Sequence, residues 1–408
     1  MTEIIKLTSG KKLHELEKYY PPKEARTIRM KYIEHKLHQN FPNINKTGLQ
    51  ANKLYKKNIE NYIGSVEIPI GIAGPLKLNG DYAKGDFYIP LATTEGTLVA
   101  STNRGAKVTS QSGGIILTSE YIGATRAPLL RTSGIIKSRE VSIWIEKNFS
   151  DLAVLAQTNE KYIKLLKIEC FAHGKNLWLR MNFDTNGAMG MNMATKAANY
   201  LSQEIVKKNK GVELLTVSGN MCADKKPTVL NIISGRGRRV RAETIIKKEI
   251  LKRYFRTTAK KIALVNKNKV WEGTAISGGI SYNAHFANII AAAYCACGQD
   301  LAHVVDSSLG YCTMEDDDGD LYISITLSCM MLGTIGGGTR LPKQFEAQNL
   351  MLSEINTGKM TINNRTHTMA EIIAGAVLCG ELSLHAALTT NEHIKAHDNL
   401  GGKLNENN

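Results

Sequence analysis

Four stretches of the chain hold residue types that do chemistry. In Leu91-Ala-Thr-Thr-Glu95-Gly-Thr-Leu-Val-Ala-Ser-Thr-Asn103-Arg104-Gly105, one carboxylate follows the apolar run Tyr88-Ile-Pro-Leu-Ala92. A carboxylate in an apolar setting is costly unless paired or protonated. The second stretch, Ser218-Gly-Asn-Met-Cys-Ala-Asp224-Lys225-Lys226-Pro227, reads as a loop from its Gly, Asn and Pro. Its tandem lysines beside an aspartate make either a solvated charged turn or an anion site in which a lysine polarises an oxygen. The third is an Ala-rich helix over 283–305, where about 100° per residue puts His285, Asn288 and Gln299 on one side with Asp300 beside them. That polar stripe is a satisfied core network or part of a site. The fourth, His393-Ile-Lys-Ala-His397, has i,i+4 spacing but no Glu between its histidines and no evident third ligand. It suits proton transfer better than metal binding.

The elements that must position these residues follow from pattern and composition. A chain of 408 residues, 43% apolar and 22% charged, can bury sizeable cores, at about 150 residues per domain. Residues 11–40 carry helical apolar spacing and end near Pro42; residues 63–90 change to short β-rich runs broken by Gly and Pro; residues 94–108 look helical. The block 128–216 has its own rhythm. It reads as strand Gly134–Val141, helix Ser142–Thr158, strands Lys161–His173 and Asn176–Phe183, helix Met191–Lys208 and strand Gly211–Val217. Two helices among about four strands suggest a split β-α-β unit inserted into a larger domain. A last helix is expected from about Glu371 to His397.

Composition also excludes. The 7 cysteines are scattered and odd in number, which argues for a reducing cytoplasm over a disulfide framework. Cys295 and Cys297 are expected as small core residues. The longest apolar run, around Ile289–Cys297, is about eleven residues against the ~20 of a membrane span, and no signal peptide is visible. A net charge of +15 admits nucleic acid or anionic small ligands. Its local clusters, Arg236–Arg241 and Lys247–Lys261, come without any nucleic-acid motif. The Rossmann fingerprint is absent too: Gly333-Thr-Ile-Gly336-Gly-Gly338-Thr-Arg340 lacks the third glycine, and no acidic residue follows at the right distance.

Taken together, the stretches 60–76 (ENYIGSVEIPIGIAGPL), 91–105, 187–193 (GAMGMNM), 218–227, 283–300, 333–339 (GTIGGGT) and 380–388 (GELSLHAAL) resemble, in order, the motifs of 3-hydroxy-3-methylglutaryl-coenzyme A reductase. The likeness is to the soluble catalytic portion of the archaeal and eukaryotic-like class I. It implies an α+β fold: an N-terminal helical segment (1–62), a large mixed α/β substrate domain in two parts (63–127 and 217–408), and an inserted ferredoxin-like nucleotide-binding domain (128–216). It implies reduction of the thioester to mevalonate and coenzyme A with two NADPH, NADH being the alternative, and no metal. The catalytic set it implies is Glu95, Lys225, Asp300 and His397. Lys225 would stabilise the oxyanion, Asp300 hold that lysine, His397 protonate the departing thiolate, and Glu95 supply a proton to the aldehyde with Asn288 as its partner.

By the same resemblance the substrate carboxylate falls to Arg126, Ser218, Asp224 and Lys226, and coenzyme A lies near Asn103 and Arg104. The nicotinamide nucleotide would meet Lys161 and the turn Met189-Gly190-Met191-Asn192. Gly187 stands where the family has Asp, Glu160-Lys161 where it has Ser-Arg, and Ala396 where it has Ser before the histidine. The implied partners are HMG-CoA and NADP(H), with neither nucleic acid nor membrane. A homodimer or homotetramer with its site at the subunit interface is expected, in the cytoplasm. The rival readings are a reductase of altered substrate on the same scaffold and a basic nucleic-acid-binding protein.

Overall fold

A computed structural model of the chain describes residues 11–353 and 361–390. It divides into two compact units, Met1–Pro69 and Ile70–Asn408. In the first, a 3-10 turn (Leu13–Lys18) precedes α1 (Pro22–Leu37), which starts on a proline and ends at His38 in a left-handed conformation. Leu16, Ala25 and Ile28 form its small core. Arg29 is buried in it, paired with Glu17 at 2.7 Å. None of the candidate site residues lies in this unit.

Among the described residues, the second unit is built on ten strands. β1 (Ile70–Asn79) pairs antiparallel with β2 (Lys84–Ala92), and α2 (Leu98–Gln111) leads into β3 (Ile115–Arg126). β4 (Leu129–Thr132), α3 (Ile135–Lys147), α4 (Phe149–Asn159), β5 (Lys164–His173), β6 (Asn176–Asp184), α5 (Met191–Lys208) and β7 (Val212–Thr216) follow as a block. Its strands lie in the order β7-β4-β6-β5, every pair antiparallel. A β-α-β-β-α-β chain in that order is a ferredoxin-like sheet with its helices closing one core. β8 (Gly237–Ile246), α6 (Phe286–Ala296), β9 (Gly310–Asp317), β10 (Asp320–Met330) and α7 (Ile362–Thr390) complete the unit.

β3 joins the two sheets. Its residues 116–123 pair with β8 in the large sheet, while Ala124, Thr125 and Arg126 pair with Phe183, Asn182 and Met181 of β6. Arg126 therefore sits where one sheet hands over to the other. The large core gathers around α7, buried without a break from Thr366 to Ser383. By length and composition α7 could cross a membrane, but that apolar stretch is mostly buried inside the fold. The close crossing of α7 over α2 depends on Gly105, where an added Cβ would lie 2.0 Å from the Cys379 carbonyl oxygen.

Three local expectations change. Gly134–Val141 is not a strand: Ser138, Val141 and Ile145 of α3 are buried at helical spacing, while the β-branched pair Ile135 and Ile136 points to solvent. α7 begins at Ile362, well before Glu371, with the Thr361 hydroxyl accepting from the Asn364 amide at 3.2 Å. The Ala-rich helix ends at Ala296, so Gln299 and Asp300 do not share a helical stripe with Asn288. His393 and His397 lie outside the described residues.

Candidate active site

The loop 218–227 is held in an unfavourable backbone conformation by everything around it. Asn220, Ala223 and Lys225 have φ of 67°, 51° and 57°, left-handed values that cost about 1–3 kcal/mol each for residues other than glycine. The buried Asn231 amide donates to the carbonyls of Ala223 and Lys226, both at 2.8 Å. The Thr125 hydroxyl donates to Cys222 O at 2.9 Å, and the Lys225 amide donates to Asp306 Oδ2 at 3.2 Å. These bonds fix where the Lys225 side chain leaves the loop. Its ammonium lies 2.8 Å from Asp300 Oδ2. Burial pushes the Asp300 carboxyl up, but the Lys225 ammonium, the His303 ring and the Ala302 amide together outweigh this and hold it below the usual carboxylate range.

Anion-binding groups surround this pair. Arg126 donates to Ser218 Oγ at 3.1 Å and to Thr195 Oγ1 at 2.9 Å, and lies 3.7 Å from Asp224 Oδ2. Lys226 donates to the Asp224 carbonyl at 3.1 Å and is otherwise exposed. Asp224 Oδ1 also receives Arg236 Nη2 at 3.0 Å, and Arg236 Nη1 pairs with Asp306. Arg236 had no role in the sequence reading beyond a basic patch. It is fully buried, and Arg238 of the same run is buried against Tyr121, its guanidinium 4.8 Å from the ring centre. Arg239 and Arg241 face Glu120. Arg236 and Arg238 of the run are thus taken up inside the fold, while Arg241 stays half exposed.

Glu95 differs from expectation. It sits in a bend between β2 and α2 and is exposed, so its own chain does not give it an apolar setting. Asn288 Nδ2 donates to its Oε1 at 3.1 Å, as expected. What positions Asn288 was missed in the sequence: the buried Glu381 carboxylate on α7 accepts the amides of Ala284 (3.1 Å) and His285 (2.7 Å), fixing the entry to α6. Gln299 is a structural bond partner of Gly333, at 3.0 and 2.9 Å. Asn103 accepts the Gly74 amide at 2.8 Å, and Arg104 stacks 4.8 Å over Phe255 and reaches Ser383 O at 3.4 Å. Both side chains serve the fold around α2.

The turn before α5 is bracketed by the Gly-rich segment after β10. Thr334 N donates to Gly187 O at 3.0 Å, Ala188 bridges Ile335, and a Cβ on Gly333 would lie 2.4 Å from the Met189 amide nitrogen. Gly187 and Gly190 have φ of 78° and 79°. A Cβ on Gly187 would strike Ile362 at 2.4 Å, which accounts for glycine there. Met191 is buried, its sulfur 3.3 Å from Arg236 Nη2, whereas Asn192 is exposed at the start of α5. An 18-residue helix leaves its first amides free for an anion. Lys161 is exposed, its ammonium 5.7 Å from the Tyr162 ring centre. Next to it, a cleft of about 440 Å³ is lined by Asn159, Glu160, Lys196, Asn199, Tyr200 and Gln203.

Among the described residues, the one grouping with metal-ligand geometry is Asp224, His303 and Asp306, whose ligand atoms lie within 4.8 Å. The cation already touching both carboxylates is the Arg236 guanidinium. Cys297 is buried core, its thiol pushed up to about 12 by burial.

Similarity to known proteins bears on this arrangement. The family model for hydroxymethylglutaryl-coenzyme A reductase matches residues 25–402. The chain is 45% identical over 401 residues to the 3-hydroxy-3-methylglutaryl-coenzyme A reductase of Aeropyrum pernix, covering 98% of this chain and 95% of the relative. It is 43% identical over 402 residues to that of Methanocaldococcus jannaschii, covering 97% and 98%. The solved class II reductase of Streptococcus pneumoniae, bound to NADPH in open conformations, superposes with a TM-score of 0.65 over 83% of this chain and 88% of that one. At 18% identity this is a likeness of fold. A family match that spans both units, together with near-full-length relatives, places the chain in the hydroxymethylglutaryl-coenzyme A reductase family.

Proposed function

We propose that the 218–227 loop, with Asp300, forms the catalytic centre for the reaction of this family. That reaction is the four-electron reduction of (S)-3-hydroxy-3-methylglutaryl-coenzyme A to (R)-mevalonate and coenzyme A, in the mevalonate route to isoprenoids. The observation that carries this reading is the Lys225–Asp300 pair at 2.8 Å, presented by a loop with three left-handed residues. Hydride addition to a thioester carbonyl places negative charge on its oxygen, and a fixed ammonium stabilises that charge more than the ground state. Arg126, Ser218, Asp224 and Lys226 bind the far carboxylate of the substrate. His397 protonates the leaving thiolate and Glu95 the aldehyde oxygen, with Asn288 orienting Glu95. Asn103 and Arg104 border the coenzyme A path.

NADPH is the reductant of this reading and supplies the two hydrides when bound. The groups present fit it: free amides at the start of α5 for a pyrophosphate, and the cleft beside Lys161 for the adenosine end. Met189, Gly190, Met191 and Asn192 shape the first. Lys161 and Lys196 favour a phosphate, while Glu160 favours a bare ribose hydroxyl, so NADH is the competing choice. The division into 1–62, 63–127, 128–216 and 217–408 belongs to the same reading. So do class I membership, supported by the much higher identity to the archaeal relatives, the absence of a metal, and a cytoplasmic homo-oligomer whose subunits share the site.

Lys225→Met tests the centre. Turnover of the thioester is expected to fall by at least about 10³-fold with substrate affinity nearly unchanged, because the lysine acts on charge that develops late. Near-normal turnover would remove Lys225 from the oxyanion role.

A further inference from the structure

His303 lies at the point where the two halves of this centre meet. Its side chain is fully buried, beyond Asp300 in the 3-10 turn Leu301–His303. Nδ1 faces Asp306 Oδ1 at 3.1 Å. Nε2 makes no hydrogen bond among the described residues, although it has no access to solvent. It points instead between two carboxylates, 3.8 Å from Asp224 Oδ1 and 3.9 Å from Asp300 Oδ2. A buried ring nitrogen with no partner is costly, and one aimed at two carboxylates is placed to donate to whichever becomes free.

Each of those carboxylates already has a cation. Asp224 has Arg236 and Arg126, Asp306 has Arg236, and Asp300 has Lys225. Of these, only the Lys225–Asp300 pair must loosen during the reaction read above, since the ammonium that meets the oxyanion is the one that Asp300 holds. Asp300 Oδ1 keeps the Ala302 amide at 3.1 Å. Oδ2 would be left facing His303.

Resting on that reading of Lys225, we propose that His303 is a positioning residue whose Nε2–H takes up Asp300 Oδ2 as Lys225 turns to the developing oxyanion. His303 touches no substrate. It acts by keeping Asp300 in place and satisfied while its lysine is engaged elsewhere, and it ties that carboxylate to Asp224 on the substrate-carboxylate side. The ring also weakens the proton affinity of Asp300, in keeping with a donor directed at it.

Two isosteres separate this role from mere anchoring to Asp306. Glutamine places its amide nitrogen near the position of Nε2 and gives up the contact at Nδ1; asparagine does the reverse. His303→Gln is expected to keep kcat on the thioester within about 3-fold of the parent. His303→Asn is expected to lose roughly 10–100-fold in kcat, with KM for the thioester moving far less, as for a misplaced catalytic group. Thermal unfolding of both variants is measured alongside, and kcat is taken only well below each midpoint. The proposal is overturned if folded His303→Asn turns over like the parent, if His303→Gln loses as much as His303→Asn, or if both change KM rather than kcat. An active Lys225→Met variant would overturn the reading of the centre itself. An inactive one, beside a fully active His303→Asn, would overturn only the role of His303.

Discussion

Glu371 and His367 lie one turn apart on α7 and are poised in opposite directions. Burial pushes the Glu371 carboxyl up to about 7, against the pull of the Tyr82 and Ala83 amides that donate to it. Burial, helped by the nearby Arg238 charge, pushes His367 down to about 3. For Glu371 the folded state prefers the protonated form, so its contribution is present below 4.5 and is lost as pH rises through 7. For His367 the folded state prefers the neutral ring, so its contribution is present above 6.5 and is lost as pH falls toward 3. The two oppose each other between those limits. Glu371→Gln removes one of them. The unfolding free energy of this variant relative to the parent is expected to shift in its favour by roughly 3 kcal/mol between about pH 4.5 and 7.5. A difference that stays constant with pH would show that Glu371 does not titrate in the fold. Neither residue was singled out in the sequence. A Glu in an apolar helix signals only that it needs a partner, and here the partners are backbone amides some 290 positions away, at Tyr82 and Ala83.

At the scale of elements, α2 carries Asn103 and Arg104 on a helix whose closeness to α7 is set by one missing Cβ. Gly105→Val forces the two helices apart at the Cys379 carbonyl and is expected to destabilise the fold by about 1–3 kcal/mol or more. Thermal unfolding measures this, and an unchanged midpoint would contradict the packing. Elements with a strong period were legible in the sequence: α5 was read with its observed limits, and β5 to within a few residues. α3 was not, because the exposed Ile135 and Ile136 imitate a strand, and its buried face is carried partly by Ser138. The start of α7 was hidden because Thr366, His367 and Thr368 are polar yet buried. The Gly-rich segment 333–338 lacks the Rossmann fingerprint in the sequence, and its work as a bracket on the 187–190 turn depends on contacts between segments distant in the chain. The site itself was legible mainly through wording. Spacing left the Lys225 loop and the Asp300 stripe undecided, and it gave no hint of Arg236, Glu381 or His303, whose roles exist only once three segments converge.

At the scale of the whole molecule, Glu95 is exposed in the single chain, and the proposed subunit-shared site would cover it. Apolar side chains of the same unit are exposed as well, Ile70 at 58% and Ile72 at 48%. A subunit-shared site predicts that specific activity falls on dilution in step with dissociation seen by sedimentation, and that Ile72→Glu lowers the dilution at which both occur. Activity that stays constant while the oligomer dissociates would place a complete site within one chain.

With the proposed centre, this chain reduces the thioester all the way to the alcohol. The measurement that tests it most directly follows reduced-nicotinamide absorbance and free coenzyme A thiol together, with HMG-CoA limiting and each of NADPH and NADH supplied in turn. Two equivalents of cofactor are expected to be oxidised per equivalent of thiol released, faster with NADPH. One equivalent per thiol, or thiol release without oxidation of either cofactor, would contradict it.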